Sequence, residues 1–564
     1  MRRFFTAASV RRIARNRFGW RSLRPGQLDA VCTLLNGTDT LVVMPTGAGK
    51  SAVYQLAALL IDGPTVVVSP LIALQRDQLA GLAARGGAQA VAVNSAQTAG
   101  VTSQAWESLS TGDAEFMFLS PEQLANDEVV DRLAQAKVSL LVVDEAHCVS
   151  SWGHDFRPDY LRIGDVIERL GSPRIVALTA TASPPVRAEI VERLHMRKAK
   201  QIIQNFDRPN LTLQVERFIE ARHKEQALVE RVVALDGTGL VYTATRKETE
   251  RYAEELTAAG KRARAYHAGM KAADREQVHQ AFLAGDLDVV VATSAFGMGI
   301  DKPDVRYVVH AAVSESLDSY YQEIGRAGRD GKPALALLLY RPEDFGLRNF
   351  FASGGADEEV LTEVAGAVRE HTRSEGGVEP SQLKQELELS HTRLTNAVNL
   401  LEQAGAVTVD AGGLLHYANT RRKVGDAVHE AIEVAEARTR MDKSRIEMMR
   451  GFAETLGCRR QFLLGYFGEA YPQLCGNCDT CRSGAAGAGQ AARPVPGKGR
   501  KARAAAKAAV PYPVNSPVRH REWGEGVVMR IEPDRITVLF DSVGYRTLAL
   551  KVLEKDTGLL TARS

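Results

Sequence analysis

The chain has 564 residues, 45% of them hydrophobic and 25% charged, with a formal net charge of +3. These are globular proportions, which exclude a fibrous repeat or wholesale disorder, and the length corresponds to about four domains of ~150 residues. Bulk charge is close to neutral, so any nucleic-acid site has to come from local clustering of basic groups.

Met1–Leu28 is rich in arginine and free of acidic residues. That suits an organellar transit peptide superficially, but the stretch runs straight into a nucleotide-site motif and reads as a basic surface helix. Short apolar runs then follow from Asp39, Pro64, Ser139, Asp288 and Ala334. All fall short of the ~20 residues a membrane-spanning helix needs. They are β-branched and bounded by Gly, Pro or Asp, which predicts strands buried on both faces of parallel sheets.

Strand-like and helical runs alternate from about residue 20 to 205, pause at Asn205-FDRPN, and restart up to Arg341. Two α/β blocks joined by a connector are predicted. Between 355 and 440 the pattern turns helical, with Leu383, Leu387, Leu394, Val398 and Leu401 at helical spacings and Ser390 as an N-cap. A two-stranded wing is expected over Ala406-VTVDAGGLLHY. Ser483 to Val514 is Ala/Gly/Pro with scattered Lys and Arg, a flexible basic linker. Val518 to Leu553 alternates with Gly turns and predicts a small β-barrel.

Met44-PTGAGKS after a predicted strand is a phosphate-binding loop. Thr46, Gly47 and Gly49 shape a cradle of backbone N–H groups, Lys50 reaches the β/γ-phosphates, and Ser51 holds Mg²⁺. Leu140-LVVDEAH supplies the other half: Asp144 for Mg²⁺ and Glu145 to polarise the attacking water. Gln322-EIGRAGRDG places Arg326 and Arg329 on one helical face, suited to clamping a γ-phosphate; a salt-bridged surface is the alternative.

These motifs together resemble superfamily 2 helicases. The residues between them are similar to the RecQ family: Asp144-EAHCVSSWGHDFRPDY has the aromatic-rich loop after the acidic motif, and Phe18-GWRSLRPGQ the adenine motif. Ser69-PLIALQRDQ, Leu119-SPEQL, Leu178-TATAS, Tyr266-HAGM and Ala292-TSAFGMGIDKPDVRYVVH complete the series, so the resemblance covers residues 18 to about 345. It implies that Trp20 and Arg24 sandwich the base of ATP, that Gln27 bonds its edge, and that Gln322 joins the nucleotide contacts. Trp152, His154, Phe156 and Arg157 then offer stacking faces and charge to single-stranded DNA.

Of six cysteines, Cys32 and Cys148 stand alone, while Cys458, Cys475, Cys478 and Cys481 cluster. Two overlapping C-x-x-C steps plus one distant thiol suit a closed, structural, tetrahedral Zn²⁺ site in a reducing compartment. A redox C-x-x-C pair would need a thioredoxin-like context, which the surroundings lack. The stretch from Cys458 closely resembles the RecQ zinc module.

In the common RecQ arrangement a winged helix follows the zinc module; here the winged-helix-like segment precedes the cysteines. Its Glu386, Glu388 and Glu402 mix with Lys384, His391 and Arg393, which leaves DNA contact and a spacer role both open. The C-terminal module looks like the Tudor-type barrel of UvrD/PcrA-like helicases and resembles CarD-type modules. That implies a contact with RNA polymerase or another protein; nonspecific nucleic-acid affinity through Arg519, Arg521, Arg530 and Arg535 is the alternative.

The expected order is therefore two RecA-like α/β domains (1–208, ATP-binding, and 209–345), a winged-helix-like segment (346–440), a zinc module (441–482), a linker (483–514) and a barrel (515–564). The resemblance implies an ATP-, Mg²⁺- and Zn²⁺-dependent 3′–5′ DNA helicase of repair and recombination. Its partners would be single-stranded and tailed duplex DNA, and its place the cytoplasm at the nucleoid. An RNA helicase or remodeller and a non-catalytic DNA-tethering scaffold are the alternatives.

Overall fold

The apolar runs form strands because side chains cover both of their faces. In a computed structural model of the chain, which describes residues 7–70, 72–84, 89–94, 97–150, 158–160, 162–297, 302–352, 356–410, 413–487, 512–514, 516–531 and 535–563, the first sheet contains Thr40–Val43 (β1), Thr65–Val68 (β2), Ala90–Val93 (β3), Phe116–Leu119 (β4), Leu140–Val143 (β5), Arg174–Thr179 (β6) and Lys200–Ile203 (β7). Every position of β1, β2, β4 and β5 is buried. The order is β3-β4-β2-β5-β6-β1-β7, with all pairs parallel. Crossover helices supply the second layer; Val53 and Tyr54 of Ser51–Ala58 pack on Val42, Val142 and Val176. The basic helix Ala7–Phe18 buries Val10, Ala14 and Phe18 and turns Arg11, Arg12, Arg15 and Arg17 outward, as expected.

A second parallel sheet contains Leu211–Arg217 (β8), Thr238–Tyr242 (β9), Ala263–Tyr266 (β10), Val289–Ala292 (β11), Val305–His310 (β12) and Ala334–Tyr340 (β13), in the order β10-β11-β9-β12-β13-β8. Helices Pro380–Glu386 and His391–Gln403 and the hairpin of Val407–Val409 (β14) with Leu415–Tyr417 (β15) follow. Ser390 caps the second helix as predicted, its hydroxyl accepting from the Arg393 N–H at 3.3 Å.

Two compact units divide the chain: 1–204 with 354–439, and 205–353 with 440–564. The helix–hairpin segment thus shares a unit with the first sheet, where an Arg162–Glu402 ion pair joins them. In the other unit, Pro517–His520 (β16), Gly524–Ile531 (β17), Arg535–Phe540 (β18), Gly544–Ala549 (β19) and Leu560–Ala562 (β20) form an antiparallel sheet in the order β19-β18-β17-β16-β20. Among the described residues no ladder joins β19 to β20, so the sheet is open where a closed barrel was expected. The three residues of β20 pair with β16 alone. Most of the predicted linker lies outside the described residues. No described helix is long and apolar enough to cross a membrane.

Candidate active site and metal centre

β1 delivers the chain into the phosphate loop. Gly47 and Gly49 hold φ of 81° and 79°, left-handed backbone that glycine adopts without steric cost. A Cβ on Gly49 would also meet the Gln27 amide nitrogen at 2.7 Å. Lys50 is the N-cap of the helix Ser51–Ala58 and donates from Nζ to the Met44 carbonyl at 3.4 Å. A helix opening on a glycine-rich turn presents N–H groups and a positive dipole end to an anion. Thr46 and Ser51 are half-buried beside it.

Two of the adenine-motif residues, Arg24 and Gln27, contact this loop. Gln27 is buried; its Nε2 donates to the Ala48 and Gly49 carbonyls at 3.1 and 2.8 Å, and its Oε1 accepts from the Arg24 N–H at 2.8 Å. The Arg24 guanidinium donates to the Gly47 carbonyl. Trp20 stacks on Phe18, with centroids 4.4 Å apart and planes 13° apart.

β5, next to β2 in the sheet, ends at the acidic motif. Asp144 is 6% exposed; its N–H donates to Val68 at 2.9 Å, and its carboxylate accepts from the Glu145 N–H at 3.0 Å and from Gln78 at 3.4 Å. Burial first, then the Glu145 charge, pushes its pKa to about 6, with Lys50 pulling the other way. Asp144 is thus buried beside the Glu145 carboxylate, a setting in which a divalent cation would add countercharge to that of Lys50. The donor set fits Mg²⁺, which Asp144 and Ser51 would hold.

Glu145 has φ of 48°, a conformation that costs a non-glycine residue of order 1–3 kcal/mol. The following turn, Ala146–Val149, buries His147 with Nδ1 3.4 Å from Glu145 Oε2 and 3.0 Å from Thr179 Oγ1. Thr179 in turn donates to the Thr181 carbonyl at 2.9 Å. The acidic motif and the Leu178-TATAS strand end are therefore one hydrogen-bonded network, a link that linear spacing does not display. Trp152, His154, Phe156 and Arg157 lie outside the described residues.

In the other unit, the helix Leu317–Ile324 stops before either arginine. Gly325 is its C-cap and Gly328, at φ 61°, turns the chain again. Arg326 and Arg329 therefore sit on successive turns and not on a helical face as expected. Gln322 is half-buried in the last helical turn. Arg326 is 6% exposed. Nearby, burial opposes ionisation of Glu323, but hydrogen bonds from His310 at 2.9 Å and Ser314 at 2.8 Å, with the Arg326 charge, hold its pKa below the ordinary value. Two residues that the sequence reading passed over as connector support this turn. Arg208 donates to the carbonyls of Gly325, Ala327 and Gly328 at 3.3, 2.8 and 3.0 Å. Asn210 donates to those of Gly328 and Lys332 at 2.9 and 2.8 Å.

The Sγ atoms of Cys458, Cys475, Cys478 and Cys481 all lie within 4.8 Å of one another, and those of Cys475 and Cys481 are 3.9 Å apart. Sulfurs ~2.3 Å from a shared tetrahedral ion lie ~3.8 Å apart, so the donor set fits Zn²⁺. The Asn477 N–H donates to Cys475 at 3.4 Å and the Thr480 hydroxyl is 3.2 Å from Cys478, contacts that orient ligand thiolates. The knuckle covers the open edge of β8: the Val215 N–H donates to Asp479 at 3.2 Å, and Thr212 donates to Asn477 at 2.9 Å.

The C-terminal sheet rests on this module. The Arg530 guanidinium lies 3.9 Å from the Phe462 ring centroid, and Tyr545 packs 5.4 Å from Tyr466. Arg519 pairs with Glu525 at 3.7 Å and Arg521 with Asp556 at 3.0 Å. Three of the arginines considered for nucleic-acid affinity thus already have partners within the chain.

Residues 24–189 match the DEAD/DEAH box helicase family, 223–331 the helicase conserved C-terminal domain, and 419–482 the RecQ zinc-binding family. The last match begins before the boundary at 441 read from the sequence. The chain is 35% identical over 465 residues to the probable ATP-dependent DNA helicase RecS of Bacillus subtilis (strain 168), covering 82% of this chain and 89% of that one. It is 44% identical over 329 residues to the ATP-dependent DNA helicase RecQ of Haemophilus influenzae, covering 58% of this chain and spanning 52% of that relative's length. In fold alone it is similar to the DUF1998 helicase MrfA bound to DNA, with a TM-score of 0.50, 15% identity, and coverage of 73% of this chain and 62% of that one. The helicase motifs, the four-cysteine cluster and the long RecS match together establish that the chain belongs to the RecQ family of ATP-dependent DNA helicases.

Proposed function

We propose that the chain is an Mg²⁺-dependent motor that moves 3′ to 5′ along single-stranded DNA, opens duplexes, and serves DNA repair and recombination. The observation that carries the reading is the meeting, in one unit, of the phosphate-loop Lys50 with the buried Asp144 carboxylate and its half-buried neighbour Glu145. Thr46, Gly47, Gly49 and Lys50 bind the phosphates, Trp20, Arg24 and Gln27 the base, and Ser51 and Asp144 hold Mg²⁺, which screens phosphate charge when bound. Glu145 orients the attacking water and takes its proton. His147, bonded to Thr179 through Nδ1, lies 3.4 Å from the Glu145 carboxylate and restricts its position. Gln322 completes the nucleotide contacts. Arg326 and Arg329 meet the charge that develops on the γ-phosphate, a contribution worth ~10³–10⁵ in rate in other NTPases.

Trp152, His154, Phe156 and Arg157 are assigned to the DNA strand. Stacking of ~1–3 kcal/mol per base compares with a mean of ~1.4 kcal/mol per base-pair step, so trapping a freed base offsets much of its separation cost. Polarity rests on family membership. Cys458, Cys475, Cys478 and Cys481 hold a structural Zn²⁺, and the C-terminal sheet is a protein-contact module, with RNA polymerase as the candidate partner. Lys50→Ala tests the motor: DNA-stimulated ATP hydrolysis should fall at least ~10²-fold with the melting temperature kept. An equal loss of thermal stability would contradict the assignment.

A further inference from the structure

The connector between the two α/β blocks is gripped at both ends by chemistry that a passive tether does not need. On one side, Arg208 spreads its guanidinium over the carbonyls of Gly325, Ala327 and Gly328. Carbonyls at and beyond a helix C-terminus have no partner within the helix, and a planar fork with five donors satisfies several at once where an ammonium cannot. Those carbonyls belong to the turn that carries Arg326 and Arg329. Arg329 also donates to the Gly325 carbonyl, at 3.5 Å, so the two guanidinium groups share an acceptor.

On the other side, the cysteine module holds the residues just before Arg208. The Phe206 N–H donates to Glu469 at 2.7 Å, and its ring stacks on Phe467 at 4.7 Å and 11°. Arg460, 4% exposed, pairs with Asp207 at 3.0 Å and donates to the Leu211 carbonyl at 2.5 Å. Tyr321, in the helix leading to the arginine turn, donates to the Phe206 carbonyl at 2.7 Å. Cysteine module, connector and arginine turn thus form one continuous set of buried and half-buried contacts within a single unit.

We propose that Arg208 is a positioning residue for ATP hydrolysis, and that the cysteine module, through Glu469 and Arg460, sets the position of Arg208. The module then acts on the chemical step as well as on folding. The proposal rests on Arg326 and Arg329 acting at the γ-phosphate.

The test is steady-state ATP hydrolysis by the full chain at saturating single-stranded DNA, for Arg208→Ala, Arg329→Ala, the double variant, and Glu469→Ala. Misplacement of a catalytic group by ~1 Å costs about 10²-fold, so Arg208→Ala should lower kcat by roughly 10- to 100-fold. KM for ATP should stay within about twofold, and Glu469→Ala should lower kcat several-fold. The double variant should be slower than Arg329→Ala by clearly less than the factor Arg208→Ala costs in the wild type, because groups acting as one unit are non-additive. Wild-type kcat in Arg208→Ala, or losses that multiply in the double variant, would overturn the proposal while an impaired Arg329→Ala upholds the clamp. Full activity in Arg329→Ala would instead remove the clamp, and this proposal with it. Should Arg208→Ala fail to fold, Arg208→Lys keeps the charge without the fork: reduced kcat at unchanged KM is expected, and wild-type kcat would overturn the idea.

Discussion

The side-chain amide of Gln27 donates to the Gly49 carbonyl at 2.8 Å, so a residue assigned to the adenine edge also fastens the phosphate loop. A second bond, to Ala48 at 3.1 Å, makes the attachment two-pronged. If Gln27 also bonds the base as proposed, recognition of the base and the shape of the cradle are coupled through one side chain. Gln27→Ala removes both donors, worth about 0.5–1.5 kcal/mol each. KM for ATP should rise roughly tenfold with a modest fall in melting temperature; an unchanged KM would show that the loop holds its shape without Gln27.

Metal removal should act on the cysteine module first. Structural Zn²⁺ contributes ~10–16 kcal/mol of apparent binding energy in zinc-finger peptides. Cys478 is fully buried, so Cys478→Ser should lose bound zinc and expose the 441–482 region to protease. Replacement of zinc by cobalt should give a thiolate charge-transfer band. Stoichiometric metal in Cys478→Ser with an unaltered proteolysis pattern would rule the ligand set out.

The ion pair of Arg162 and Glu402 tests how the helix–hairpin segment is held. Their side chains are 27% and 24% exposed, so the pair is half-buried and worth about 1 kcal/mol. Arg162→Glu and Glu402→Arg should each lower the melting temperature, and the swapped double variant should recover much of the loss. Additive losses in the double would mean that the contact contributes nothing to stability.

Local chemistry was legible in the sequence wherever one segment determines it. The strand runs, the phosphate loop, the acidic motif and the Ser390 cap each depend on residues within a few positions of one another, and the cysteine cluster on a single short segment. Contacts between distant segments were not legible. Glu402 read as one charge in a mixed helix, and its partner Arg162 lies 240 positions away. Arg326 and Arg329 read as one helical face because period alone does not show that Gly325 ends the helix and Gly328 turns the chain. Arg208 carried no signal at all, since its role depends on carbonyls more than 100 residues later. The alternation from Val518 onward predicted strands correctly, but closure depends on whether the two edge strands, β19 and β20, meet, which alternation does not encode.

The most direct test of the central claim is ATP hydrolysis with and without single-stranded DNA, measured beside the opening of 3′- and 5′-tailed duplexes. Strong stimulation by DNA, with only the 3′-tailed substrate opened, is the predicted result. Hydrolysis indifferent to DNA, or stimulated by RNA in its place, would contradict the assignment as a DNA-translocating motor.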